Sequence, residues 1–262
     1  FSLKKLLEKK SEMGPYEFSA LYQQNPVDEE NRKFKSEWIQ HRDYLEVAKL
    51  STFNVMTIDP RGKDDIKLGK DYLGVTINFV DKENNWNIIS YREKLNAKQL
   101  LDLMFTNWDK YKLDRIGIED NQFYQGLKYT IEEECHRRNV HLYIEELKTA
   151  GVQKELRIEA LVPRYNNGTI YHLTLNGQNL CLDLEDELAT FPKAANDDAS
   201  DSLAYQTQIA MTPGGYDNDS VSRSPESIYP SKKPLALNGL EVSPELDAIL
   251  NRGNEDSQDW MT

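Results

Sequence analysis

Apolar positions along the middle of this chain alternate between a period of two and a spacing of three to four, and the changes mark out an α/β domain. Phe53-Asn-Val-Met-Thr-Ile58 is rich in β-formers and ends at Asp59-Pro60, a turn-initiating pair. Tyr72–Val80 and Trp86–Tyr91 read as two further strands, separated by the turn-like Asp81-Lys-Glu-Asn-Asn85. In Ala97–Tyr111 the residues Leu100, Leu101, Met104, Phe105 and Trp108 fall on one helical face. Arg115-Ile-Gly-Ile118 is a short buried strand running into Glu119-Asp120. A helix over Phe123–Arg138 and a fifth strand over Val140–Ile144 follow. Lys154–Leu161 predicts a helix stopped by Pro163, Thr169–Leu173 a strand, Asn179–Thr190 an acidic helix, and Asp197 to about Met211 a last helix.

Three strands joined in a meander, followed by helix–strand–helix–strand, imply a mixed sheet in which the later strands add by crossover. The domain so defined covers residues 51–211. Residues 1–50 read as connecting sequence, with one helix to about Met13, broken by Gly14-Pro15, and another from Tyr16 to about Gln24. From residue 212 to 262 the prolines, serines and scattered acids read as a flexible acidic tail, in which Pro244–Leu250 has the pattern for a short helix.

Composition adds three constraints. No apolar run approaches the roughly 20 residues that span a bilayer, and the first ten residues lack the apolar core of a signal peptide. Cys135 and Cys181 make neither a disulfide framework nor a zinc spacing, which points to an intracellular setting. The net charge of -12 opposes tight, unaided binding of nucleic acid, because neutralised phosphates supply most non-specific affinity. An acidic tail and a carboxylate-rich metal site would both contribute to that charge.

The candidate chemistry lies in carboxylates. Asp59 ends the first strand, Glu119 follows the fourth, and Asp198 and Asp201 stand three apart at the start of the last helix, on one face. Clustered carboxylates repel unless cations lie between them, and Asp and Glu suit the hard ions Mg²⁺ or Mn²⁺. Two such ions bridged by carboxylates are the usual apparatus for hydrolysing a phosphodiester. Asp197 and Asp120 are outer candidates. Each position also has a plainer reading: Asp59-Pro60 as a turn, Glu119-Asp120 as a capping or solvated pair, and Asp197-Asp198 as acids at a helix N-terminus. A calcium loop fails on spacing, since Asp59-x-Arg-x-Lys lacks the required acidic ligands.

Several segments together resemble the C-terminal nuclease domain of tailed-phage large terminases. They are Phe18-Ser-Ala-Leu-Tyr-Gln-Gln-Asn-Pro-Val27, Met56-Thr-Ile-Asp-Pro60, Ile116-Gly-Ile-Glu-Asp-Asn121, Lys154-Glu-Leu-Arg-Ile158 with Pro163-Arg164, Phe191-Pro192, and Asn196-Asp-Asp-Ala-Ser-Asp-Ser-Leu-Ala204. The last is similar to the Asp-Asp-x-x-Asp-Ala helix start of that family. Asn196 stands where a histidine is common and Ser202 where alanine is common. The resemblance implies an RNase H-like mixed sheet, a three-strand antiparallel meander plus parallel strands, with flanking helices.

It further implies a Mg²⁺- or Mn²⁺-dependent endodeoxyribonuclease with two ions per site, cleaving concatemeric viral DNA during genome packaging in the host cytoplasm. The metal ligands would be Asp59, Glu119 and Asp198 or Asp201, with Asp197 as an outer ligand. Double-stranded DNA, a portal protein and a small terminase subunit are the implied partners. Residues 1–50 resemble the end of the family's ATPase region, and no Gly-x-x-x-x-Gly-Lys-Ser/Thr phosphate loop occurs in the chain, so no ATP hydrolysis is expected of it.

Lys148, Lys154, Arg157 and Arg164 are candidates for one wall of a DNA groove, and Tyr124 and Gln125 for positions near the scissile strand. Arg61, Lys63, Lys67 and Lys70 follow Asp59 but are interleaved with Asp64, Asp65 and Asp71, a poor anchor for phosphate. The competing functions are a catalytically inactive RNase H-like module that binds DNA or the portal, a nucleotidyl transferase or exonuclease on the same fold, and an interaction domain acting through its acidic tail.

Overall fold

The computed structural model describes residues 32–60, 72–194 and 196–213, with Lys5 and Lys9 as isolated helical positions before them. The helix expected over 16–24, the basic residues 61–70 and the helix expected over 244–250 lie outside the described residues.

Sheet and helices alternate as the periodicity predicts. The elements are β1 (Gln40–Asp43), α1 (Tyr44–Val47), β2 (Phe53–Asp59), β3 (Leu73–Val80), β4 (Trp86–Glu93), α2 (Ala97–Tyr111), β5 (Arg115–Glu119), α3 (Gln122–Arg138), β6 (Ile144–Leu147), α4 (Lys154–Glu159), α5 (Val162–Asn166), β7 (Ile170–Leu175), β8 (Gln178–Asn179), α6 (Leu182–Thr190) and α7 (Asp198–Ile209). The strand order is β1-β7-β4-β3-β2-β5-β6, with β8 paired to β7. β2, β3 and β4 form the antiparallel meander; β5 adds parallel to β2, and β6 parallel to β5. This is the RNase H-like mixed sheet with flanking helices.

Side-chain alternation divides the core in two. Met56 and Ile58 of β2, Ile116 and Ile118 of β5, and Val75 and Ile77 of β3 pack with Leu100, Met104 and Phe105 of α2 and Ile131 of α3. Phe53 and Val55 face the other way, into a cluster with Leu184 and Leu188 of α6 and Leu203 and Ile209 of α7. Thr57 and Asp59 continue the odd-numbered face of β2, and Gly117 and Glu119 the odd-numbered face of β5. The two candidate carboxylates therefore point to the side that α7 covers.

Three expectations shift. Residues 34–48, read as connecting sequence, belong to the folded body. Phe34 is fully buried against Tyr165 and Phe191, and β1 pairs in parallel with β7. Gln-His-Arg-Asp has no apolar alternation because β1 is an edge strand stabilised by polar contacts. The fifth expected strand begins at Ile144 rather than Val140: its register is fixed by Ile116↔Ile144, while the preceding residues lead out of α3. Pro163 does not stop a helix in place; it occupies the first turn of α5, where its missing N–H costs nothing.

A clash map explains how α7 lies so close. A Cβ added to Gly74 would stand 1.9 Å from the Asp198 carbonyl oxygen, so only glycine lets the helix start seat on β3. A buried polar lattice fixes the helix beyond that point. Thr57 Oγ1 donates to the Ser202 carbonyl at 2.7 Å, and Ser202 Oγ donates back to the Thr57 carbonyl at 2.9 Å. Gln206 Nε2 donates to Thr57 Oγ1 at 2.9 Å and to the Thr76 carbonyl at 3.2 Å.

Candidate active site

Asp59 closes β2 with only 3% of its surface exposed, and Glu119 closes the neighbouring parallel strand β5. Burial holds the Asp59 carboxyl well above the usual carboxylate range. The negative charges of Asp201 and Glu119 raise it further, and Lys154 pulls it down. Glu119 stands close enough to Asp59 for its charge to bear on that carboxyl. Asn121, the N-cap of α3, holds this corner together. Its Nδ2 donates to the Pro60 carbonyl at 2.7 Å and to Glu119 Oε2 at 3.3 Å, and its Oδ1 accepts from the Tyr124 amide at 3.0 Å.

From the covering side α7 delivers Asp201, buried to 3% exposure. Arg157 of α4 grips it: Nη2 lies 2.7 Å from both carboxylate oxygens, and Nε lies 3.2 Å from Oδ1. The Tyr205 ring supports that guanidinium, 5.0 Å from its centroid. Tyr205 places its buried hydroxyl beside Glu119 and Asp201. Burial and those two charges push the phenol far up, so it stays protonated.

Lys154 stands among the acids. Its Nζ is 3.0 Å from Asp197 Oδ1, 3.4 Å from Asp201 Oδ2 and 3.8 Å from Asp59 Oδ2. With this ammonium in their midst, three carboxylate oxygens do not gather within 4.8 Å of one another among the described residues. The donors are all carboxylate oxygens, and the centre they surround already attracts a positive group. A donor set of this kind, Asp59, Glu119 and Asp201, could hold a hard divalent cation.

The start of α7 is held from below by α6. Glu187 Oε2 accepts from the Ser200 amide at 2.8 Å and from Ser200 Oγ at 2.9 Å; Oε1 accepts from the Ala199 amide at 3.3 Å. Burial pushes the Glu187 carboxyl up to about 7 against these bonds, and Arg92 Nη1 stands 3.6 Å away.

The predicted site residues thus separate. Asp59, Glu119 and Asp201 converge, and Asp197 joins them through Lys154. Asp198 is buried at the helix start with its backbone against Gly74. Asp120 is exposed and accepts a hydrogen bond from Gln125, and Tyr124 packs into the core on the opposite face of the sheet. Lys154 and Arg157 are engaged by the acids rather than presented to a groove. Lys148 is exposed just beyond Leu147, the residue in register with Glu119.

Arg164 lies elsewhere. It stacks on Trp86 at 4.1 Å and donates to the Asn84 carbonyl at 3.2 Å. Trp86 pairs with Val80 and Val80 with Phe53, so this is the other end of β2, roughly 20 Å along the strand from Asp59. Sequence reading missed Tyr205, Glu187 and the positioning role of Asn121. The only sequence signal for the first two is an aromatic one helical turn after Asp201 and an acid in a helix otherwise read as merely acidic.

No family model matches the chain, and no curated protein matches it in sequence. Among solved structures, the large terminase of bacteriophage HK97 aligns with 66% of this chain and 41% of its own length, at 10% identity and a TM-score of 0.34. The chain spans about two fifths of that protein. No helix among the described residues is long and apolar enough to cross a membrane.

Proposed function

We propose that this domain is a Mg²⁺- or Mn²⁺-dependent endodeoxyribonuclease that cuts viral DNA during genome packaging. The observation that carries the reading is the convergence of Asp59, Glu119 and Asp201 from two strand ends and a covering helix around one cation position. The terminase-like segments at 56–60, 116–121, 154–158 and 196–204 fall on these elements, and the segments together supply the packaging context. On this reading the working DNA is held by the rest of the packaging machinery, the portal and small terminase subunit included, because a chain of net charge -12 is poorly suited to hold it alone.

Bound divalent ions would activate water and stabilise the leaving 3′ oxygen. The protein's own groups do the rest. Asp59, Glu119 and Asp201 would hold the ions, and Asn121 fixes Glu119. Arg157 and Tyr205 orient Asp201, and Glu187 anchors the helix that carries it. Lys154, displaced from the acids by the ions, would meet a phosphate oxygen, and Lys148 would extend the positive edge.

The test is cleavage of supercoiled plasmid by the purified chain with Mg²⁺, Mn²⁺ or EDTA, beside Asp59→Ala, Glu119→Ala and Asp201→Ala. Nicking confined to the wild type with metal supports the assignment; equal nicking in EDTA or in all three variants would falsify it. A wild type that binds DNA yet cuts with neither metal favours the inactive binding module.

A further inference from the structure

A second ligand cluster lies across the sheet from the acidic site, with β3 and β4 between its strand and β2. His41 of β1 and His172 of β7 are register partners on adjacent parallel strands, and Glu185 of α6 reaches between them. Glu185 Oε1 lies 2.8 Å from His41 Nε2 and 2.8 Å from His172 Nδ1. These three ligand atoms all fall within 4.8 Å of one another, the one group of this kind among the described residues.

We propose that His41, His172 and Glu185 form a site for one zinc-class transition-metal ion, with water as its fourth ligand. Two imidazole nitrogens and one carboxylate oxygen suit Zn²⁺ and disfavour Mg²⁺, which takes oxygen donors in octahedral array. Zinc bonds of about 2.0–2.2 Å set tetrahedral ligands about 3.3–3.5 Å apart, so entry of the ion widens the two 2.8 Å spacings to Glu185 by little more than half an ångström.

The surroundings are arranged for either state. His172 is fully buried, and its Nε2 meets the Tyr165 hydroxyl at 2.9 Å. Without an ion, His172 Nδ1–H donates to Glu185 and Nε2 pairs with the tyrosine hydroxyl. With an ion on Nδ1 the proton resides on Nε2, and the same hydroxyl accepts it, which is the outer bond that orients a metal-ligating histidine. Asn179 Nδ2 donates to Glu185 Oε1 at 2.8 Å and fixes the carboxylate. His172 and Glu185 are buried, but the His41 side chain keeps 43% exposure, leaving an open fourth position and an entry path on the solvent side. The ion would pin edge strand β1 to β7 and α6.

The experiment uses the full chain, stripped with chelator, titrated with Zn²⁺ and passed through gel filtration for metal analysis, with Co²⁺ absorption as a report on coordination. The expected result is one retained equivalent of Zn²⁺, the visible bands of four-coordinate cobalt, and a raised melting temperature. His41→Ala, a half-exposed position, should weaken binding at least 100-fold while circular dichroism stays unchanged. Tyr165→Phe should weaken it about 10-fold. Asp59→Asn with Asp201→Asn should leave it intact. No retained zinc in the wild type, wild-type affinity in His41→Ala, or loss of the ion in the Asp59/Asp201 double variant would each overturn the proposal.

Discussion

Arg157 and Asp201 meet side-on, with one guanidinium nitrogen 2.7 Å from both carboxylate oxygens and a second 3.2 Å from one of them. The pair lies between α4 and α7 and neutralises one acid of a cluster that includes Asp59 and Glu119. Replacing Arg157 with alanine leaves a buried carboxylate facing two others. Metal-free stability should fall by about 3 kcal/mol, and the stability gained on adding Mn²⁺ should grow. Arg157→Lys should recover only part, since an ammonium cannot reproduce the planar fork. Urea denaturation in EDTA and in Mn²⁺ measures both; an unchanged metal increment in Arg157→Ala contradicts the account.

Gly74 and Gly126 make a matched pair. Gly74→Ala forces a Cβ to within 1.9 Å of the Asp198 carbonyl, and the helix must move. The expected cost is about 3 kcal/mol and, on the nuclease reading, cleavage is lost because Asp201 moves too. Gly126 sits in α3 with open space around it, so Gly126→Ala should stabilise by up to about 1 kcal/mol and leave activity alone. Two thermal melts decide it.

Glu187→Ala removes the carboxylate that receives two backbone amides at the start of α7. Loss of a helix cap and its buried bonds should cost about 2 kcal/mol. Because the helix start positions Asp201, on the nuclease reading cleavage should fall more steeply than the folded fraction, as read by comparing plasmid nicking with far-ultraviolet circular dichroism at one temperature.

Alkaline pH offers a clean readout from Tyr44, whose ring is buried among Phe79 and Tyr111. Burial raises its phenol from 10.0 to about 12. The unfolded chain therefore loses this proton first, and stability present below pH 10 is lost as pH rises toward 12, by about 3 kcal/mol. Tyr44→Phe should flatten that limb of the pH–stability curve; an identical slope in both proteins speaks against the assignment.

The sequence made the meander, the parallel β5 and the strand-end placement of Asp59 and Glu119 legible, because alternation in β2 and β5 is regular and period two assigns a face to every residue. It left Asp198 and Asp201 equivalent, since helical spacing puts both on one face. Only tertiary packing separates them, through the Arg157 grip on one and the Gly74 seat of the other. Lys154 and Arg157 read as groove residues because nothing local reveals that their partners lie 40 or more residues away. Edge strand β1 escaped notice for a related reason: its stability comes from His41, Arg42 and their distant partners rather than from apolar pattern.

The lock between Thr57 and Ser202 has a temporal meaning. Asp59 and Glu119 leave the ribosome before α7 (Asp198–Ile209) does. Until its serine and glutamine find the buried threonine of β2, no third acid stands opposite the first two. On the nuclease reading, a half-made chain carries only fragments of its cutting centre. Synthesis of α7 then becomes the condition for danger to any nearby genome.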